Sequence, residues 1–152
     1  DHLHKVSKRI IDLCLETDTG KIMIGKNKDW KQSINIGKVN NQKFVSIPHA
    51  EFIKKIQYKA EAHGIEVVIR EESYTSKASA IDLDTIPTYQ DSGERIFSGR
   101  RIKRGLYKAS CFNLINADVN GALNILRKEI GNAFAKGLFD SGCVFQPMRA
   151  TC

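Results

Sequence analysis

The stretch that most narrows what this chain can fold into runs from Gly64 to Ile69. Ile65-Glu66-Val67-Val68-Ile69 is short, β-branched and nearly all apolar, the pattern of a strand covered on both faces in a mainly parallel sheet. Before it, Pro48 opens a segment through His63 with Phe52, Ile53, Ile56 and Ala60 on one side; proline is tolerated in a first helical turn. Gly64 suits the residue just past that helix. Helix, glycine, buried strand is an α/β unit. The opening of the chain repeats the order: His2 to Glu16 places Leu3, Val6, Ile10, Leu13 and Cys14 at helical spacing, Asp18-Thr19-Gly20 is turn chemistry, and Lys21-Ile22-Met23-Ile24-Gly25 reads as a short strand.

The second strand ends in Arg70-Glu71-Glu72, which puts two carboxylates just past its carboxyl end, where open α/β sheets place their sites. A solvated strand end is the alternative for both. A third helix is expected from about Ala117 to Glu129, closed by Gly131. Asp118 falls in its first turn, where the free N–H groups and the positive helix end favour an acid. Asp118, Asn120 and Asn124 alternate with Val119, Ala122, Leu123, Leu126 and Ile130, so one side packs while a polar edge stays near the start. Such a wall with a carboxylate at its mouth suits a metal; helix stabilisation without metal is the plainer reading.

Between these elements Asn27 to Lys43 is polar, carries Trp30 and is expected to be a surface loop. Residues 78–115 read as a basic hairpin-like insert punctuated by Gly93, Gly99 and Gly105. Within it Arg95, Arg100, Arg101, Lys103, Arg104 and Lys108 accompany a single nearby acid, Glu94. With a net charge of +7 over 152 residues, nucleic acid is the leading partner, and the interleaved Phe97 and Tyr107 would suit bases. No run of about 18 apolar residues suggests a membrane span, and no signal peptide is visible. The scattered Cys14, Cys111, Cys143 and Cys152 form no CxxC pair, so neither a zinc ribbon nor a disulfide framework is indicated. Reduced thiols and a cytoplasmic setting are expected. The chain opens on Asp1, without Met, directly into a helical pattern, as a fragment would.

Two strings, Glu72-Ser73-Tyr74-Thr75-Ser76-Lys77 and Asn116-Ala117-Asp118-Val119-Asn120-Gly121-Ala122, with Ser98-Gly99-Arg100-Arg101-Ile102-Lys103-Arg104-Gly105-Leu106 between them, resemble the carboxyl-terminal part of the TnpB (OrfB) transposon-encoded proteins, RNA-guided DNA nucleases related to type V CRISPR effectors. Lys28-Asp29-Trp30-Lys31-Gln32 and Tyr58-Lys59-Ala60-Glu61 fit the same likeness. The resemblance runs from His4 to about Lys128. It implies an α/β, ribonuclease H-like (RuvC-like) mixed sheet flanked by helices, incomplete at the amino end, occupying residues 1–152, with the 78–115 insert in place of a zinc ribbon. It further implies a trio of acids holding divalent metal. Asp118 matches the last of these. Most relatives carry the middle acid where this chain has Gly25; Glu72 is the replacement the resemblance points to, with Glu71 second. The first acid, on an Asp-x-Gly strand, would lie upstream of Asp1.

Two-metal phosphodiester hydrolysis needs hard oxygen ligands from separate elements, and Mg²⁺ (or Mn²⁺) accepts carboxylates, waters and phosphate oxygens. The expected metal ligands are Asp118 and Glu72, with no zinc. Arg95, Arg100, Arg101, Lys103, Arg104, Lys108 and Lys77 are expected to bind nucleic acid, the partners implied being DNA and a guide RNA. A nuclease-dead binding module or guided repressor of the same family is the competing reading, and an unrelated basic RNA-binding domain a third. His4 and His63 are assigned no role, and Thr75-Ser76 is expected to cap a turn. The sequence sets neither guide, target-adjacent motif nor oligomeric state.

Overall fold

A computed structural model describes residues 2–26, 48–110 and 113–145. The Asn27 to Lys43 loop with Trp30, the Lys28 to Gln32 string, Cys111 and Cys152 therefore lie outside the described residues. The chain divides into two compact units, one formed by residues 2–24 and 48–69, the other by 25–26, 70–110 and 113–145 of the described residues.

In the first unit helices α1 (His2–Glu16) and α2 (His49–Glu61) precede strands β1 (Lys21–Gly25) and β2 (Glu66–Arg70), respectively. Gly64 takes φ +70°, the left-handed conformation that ends the helix before β2. The strands run in the same direction: the Glu66 N–H donates to the Gly20 carbonyl at 2.9 Å, and the Lys26 N–H to the Arg70 carbonyl at 2.8 Å. Ile11, Cys14, Ile56, Ala60 and Ile65 are buried together, with Ile22, Ile24, Phe52 and Val67 packed against them. β2 departs from the expectation of a strand covered on both faces: Val67 and Val68 are only half-buried and Ile69 is exposed. A pair of strands packed through one face cannot bury the other, so the apolar run overstated the cover. The connection between the strands is the crossover that parallel pairing requires.

The second unit holds an antiparallel meander of β3 (Arg100–Lys103), β4 (Leu106–Lys108) and β5 (Leu114–Asn116), in that order. Gly105, at φ +75°, makes the hairpin turn, with Arg101 opposite Tyr107 and Tyr107 opposite Ile115. Helix α3 (Ala117–Ile130) continues from β5, followed by α4 (Ala133–Asp140) and a 3₁₀ turn at Cys143–Phe145. These last two elements lie beyond Gly131, past the last helix that the sequence pattern predicts. Ala80, Tyr107, Ile115, Ala117, Leu123 and Val144 form the core, joined by Phe134, Leu138 and Phe139. The described strands form two small sheets, β1-β2 and β3-β4-β5, and the basic hairpin of the expected insert pairs with β5. Among the described residues no helix is long and apolar enough to cross a membrane.

Candidate metal centre

α3 organises this region. Asn116 caps it, its Oδ1 accepting from the N–H groups of Asp118 (2.8 Å) and Val119 (3.2 Å), which satisfies two of the free donors of the first turn. The polar line along the helix is not an open edge: Asn120 and Asn124 are fully buried. Asn120 accepts from the Ala80 N–H at 2.9 Å and donates to the Ala78 carbonyl at 2.9 Å; Asn124 donates to the carbonyls of Thr75 and Ala78. One turn on, the buried Arg127 guanidinium donates to Asn124 Oδ1, Asn132 Oδ1 and the Asp84 carbonyl, each at 2.7 Å, and burial pushes its pKa down. These side chains hold the irregular segment 75–84 by its backbone, since an irregular chain buried against a helix must find partners for its own N–H and C=O groups. Asn120 and Asn124 are visible in the sequence as a polar edge; the part of Arg127, and the backbone as their partner, are not.

The segment reaches that lock from the end of β2, laying Arg70 against Glu129, Glu71 against Lys128, and Thr75 against Asn124. Glu71 is fully engaged: Lys128 Nζ lies 2.7 Å from its Oε2, and its Oε1 accepts from the Ser73 N–H at 2.8 Å. Lys128 also donates to the Ser73 carbonyl at 2.8 Å. Glu72 points elsewhere. A Cβ built on Gly25 would fall 2.5 Å from Glu72 Oε2, 2.9 Å from Glu72 Cβ and 2.6 Å from Ile125 Cδ1, so the Glu72 side chain fills the space above Gly25. Among the described residues its carboxylate has no hydrogen-bond or ion-pair partner. Burial pushes its pKa up, the Glu71 charge adds to the rise, and Lys128 opposes it. A half-buried acid without a partner is in a costly state that a cation relieves. Thr75 Oγ1 closes the turn on the Glu72 carbonyl at 2.8 Å.

Asp118 is exposed. It lies seven residues before Ile125, hence on the same face of α3 and about 10 Å nearer its start. Among the described residues no three His, Cys, Asp or Glu side chains gather to hold a metal. Arg100, Arg101, Lys103 and Arg104 are exposed along the hairpin and Lys108 is half-buried. Tyr107, read from the sequence as a candidate for base stacking, is a core residue, 1% exposed, whose hydroxyl donates to the Lys77 carbonyl at 2.7 Å; burial and the charges of Asp84 and Asp82 push its pKa up to about 12. An aromatic opposite Ile115 on the inner face of a meander is covered, whatever its basic neighbours suggest. Two aspartates that the sequence did not single out anchor the hairpin: Asp84 accepts from the N–H groups of Ser79 and Ser98 and the Ser98 hydroxyl, and Asp82 from the N–H and hydroxyl of Ser110.

The fold is shared with a known class of protein. In a cryo-electron-microscopy structure of a Cas12f1–sgRNA–target DNA complex, one chain superposes with a TM-score of 0.53 at 21% identity, covering 81% of this chain and 32% of that one. The Cas12f1-like, TNB domain family matches residues 49–125, half of the sequence, and the chain belongs to it. It is also 27% identical over 136 residues to the CRISPR-associated endodeoxyribonuclease Cas12f1 of Sulfoacidibacillus thermotolerans. That alignment takes in 89% of this chain and 28% of the relative, so the chain spans under a third of the relatives' length.

Proposed function

We propose that this chain is the carboxyl-terminal part of a transposon-associated, RNA-guided DNA endonuclease of the TnpB (OrfB) type, acting in the cytoplasm through a RuvC-like domain of ribonuclease H fold. The observation that carries the reading is the unpartnered Glu72 carboxylate over Gly25, beside the helix that presents Asp118. The relatives' names support DNA cleavage and RNA and DNA as partners. Glu72 and Asp118 would hold Mg²⁺ or Mn²⁺ together with a further acid from outside this chain. The donor set fits a hard ion, since both are carboxylates and, among the described residues, neither is committed to an ion pair. When bound, the metal would polarise water and stabilise the leaving oxygen of a phosphodiester. Lys128 holds Glu71 aside, the Asn116 cap fixes the start of the helix carrying Asp118, and the Arg100–Lys108 hairpin attracts the backbone of the strand. Residues 78–115 would then stand where relatives have a zinc ribbon, without zinc.

In the full-length guided nuclease carrying this chain, Glu72→Gln and Asp118→Asn should each reduce Mg²⁺-dependent cleavage by more than about 100-fold, beyond the loss expected from an outer partner of a ligand. Glu71→Gln should cost less than about tenfold. Equal losses for Glu71→Gln and Glu72→Gln would reassign the ligand. The 152-residue chain alone should not cleave; robust metal-dependent cleavage by it, abolished by Asp118→Ala, would overturn that statement. The glycine at position 25, where the family resemblance has an acid in most relatives, favours one second reading, a guided binding module without cleavage. Target binding with no cut by the full-length protein would select it.

A further inference from the structure

Two residues beyond Glu72 the backbone does something unusual. Tyr74 sits at φ +63°, in the left-handed region that bulky side chains rarely adopt and that carries a backbone penalty where it is held. The Lys77 and Ala78 N–H groups both donate to its carbonyl at 3.0 Å, and the buried Asn124 fixes Thr75 from below. Asn or Gly would sit there more cheaply, so the ring is retained against a backbone penalty.

The ring gathers positive charge. The Arg95 guanidinium lies 4.2 Å from its centroid and Lys77 Nζ 5.9 Å, while the Phe97 ring stacks at 6.4 Å with an interplanar angle of 27°. Neither cation has a carboxylate partner among the described residues: Arg95 donates to the Asp91 carbonyl at 2.7 Å, and the Asp91 carboxylate is taken by Thr88. Elsewhere in the same unit Arg70 and Lys128 are each paired with a glutamate. Two like charges brought over one ring repel, and the quadrupole of the ring offsets only part of that. Asp91, an acid whose pKa Arg95 helps to lower, is already engaged by Thr88, and among the described residues no carboxylate bridges the two cations. With one nitrogen donating to the Asp91 carbonyl, the guanidinium over the ring keeps further N–H donors for phosphate oxygens.

We propose that Tyr74, Arg95 and Lys77 form a clamp for one phosphate of single-stranded DNA next to Glu72, with Phe97 the stacking partner of the adjoining base. The half-buried Phe97 favours a single strand, because only an unpaired base offers its face to an aromatic side chain. The clamp is separate from the exposed Arg100–Arg104 hairpin, which carries charge without aromatic support. Its assignment to DNA rests on the nuclease reading above.

The test is fluorescence anisotropy of the full chain with labelled oligodeoxythymidylate in the absence of divalent ions. Tyr74→Leu should weaken binding about tenfold, the scale of one stacking platform, while Tyr74→Phe stays within about twofold and reports that the turn still folds. For the double variant Arg95→Gln/Lys77→Gln, the slope of log affinity against log salt should fall by about 0.7, one single-strand phosphate. Arg95→Gln/Arg104→Gln, at separate phosphates, should lose about twice that. An additive loss for Arg95 and Lys77, or unchanged binding by Tyr74→Leu, would overturn the clamp. Equal or tighter binding of oligouridylate, lost in the same variants, would overturn the assignment to DNA. If the full-length protein binds its target without cutting it while the clamp variants lose single-strand binding, the nuclease reading fails and the clamp stands. If Glu72→Gln abolishes cleavage while the clamp variants bind as wild type, the clamp fails alone.

Discussion

Gly25 and Glu72 compete for one volume, which makes their relation measurable. A methyl group at position 25 would meet Glu72 Oε2 and Ile125 Cδ1 at 2.5 and 2.6 Å, well inside contact distance, so Gly25→Ala should destabilise the fold by about 1–3 kcal/mol through overpacking. Removing the obstacle should remove most of that cost: in the double variant Gly25→Ala/Glu72→Ala, the penalty of the alanine at 25 should shrink by at least about 1 kcal/mol in urea unfolding. Additive penalties would mean that the two positions do not share the space. This pairing was only half legible beforehand. The strand-end pattern alone does not separate Glu71 from Glu72, since no periodicity distinguishes neighbours, and only the family resemblance puts Glu72 first; Lys128, which takes Glu71 and leaves Glu72 free, is 57 residues away in sequence. Asp118 was readable as a first-turn acid because helix chemistry is local. The Tyr74 turn was not, since a positive φ in an aromatic residue has no composition signal.

At the scale of elements, α1 and β1 fall where their spacing predicts, and α2 and α3 differ from expectation by a residue or two at their ends, where boundaries are softest. What periodicity could not supply was the attachment of the basic hairpin, because it depends on polar contacts made across the sequence. Asp82 and Asp84 supply it, each accepting from a serine that flanks β3–β4. Asp84 is nine-tenths buried, so Asp84→Ala leaves donors unpaired and should cost about 3 kcal/mol. Hydrogen exchange should then rise in the hairpin while the α1 and α2 amides remain protected; uniform loss of protection would argue against a local anchor. For Asp82, burial raises the pKa but the Ser110 hydroxyl, Ser79 and the Ser110 N–H outweigh it and hold the carboxyl below its ordinary value. A group depressed in the folded state contributes stability that is complete above its unfolded pKa and is lost as pH falls through the folded one. Acid unfolding curves of wild type and Asp82→Asn should therefore differ at neutral pH and converge below the usual aspartate range. A constant offset down to the lowest pH would show that the anchor is not ionic.

For the molecule as a whole, the legible quantity was charge and the illegible one was its distribution. A net +7 named a polyanionic partner from composition alone, but the six basic residues read as one segment divide in the structure between two settings. Arg95 joins Lys77 over the Tyr74 ring, whereas Arg100, Arg101 and Arg104 stand exposed on and beside β3. Exposed cations on a hairpin act at the range of the screened field and carry no geometric demand on the reacting phosphate. In the full-length guided nuclease proposed above, the triple variant Arg100→Gln/Arg101→Gln/Arg104→Gln should therefore lower the salt slope of single-strand binding by up to about 2, three phosphates at about 0.7 each, and raise KM while leaving kcat within about twofold. The aromatic clamp should behave in the opposite sense. A strand held loosely beside Glu72 still binds elsewhere along the hairpin, so Tyr74→Leu should lower kcat more than it raises KM, as positioning losses do. Steady-state cleavage of a labelled strand at two salt concentrations separates the two. If the triple variant instead loses kcat with its KM unchanged, the hairpin reaches the scissile phosphate itself and the division between a steering surface and a positioning clamp is wrong.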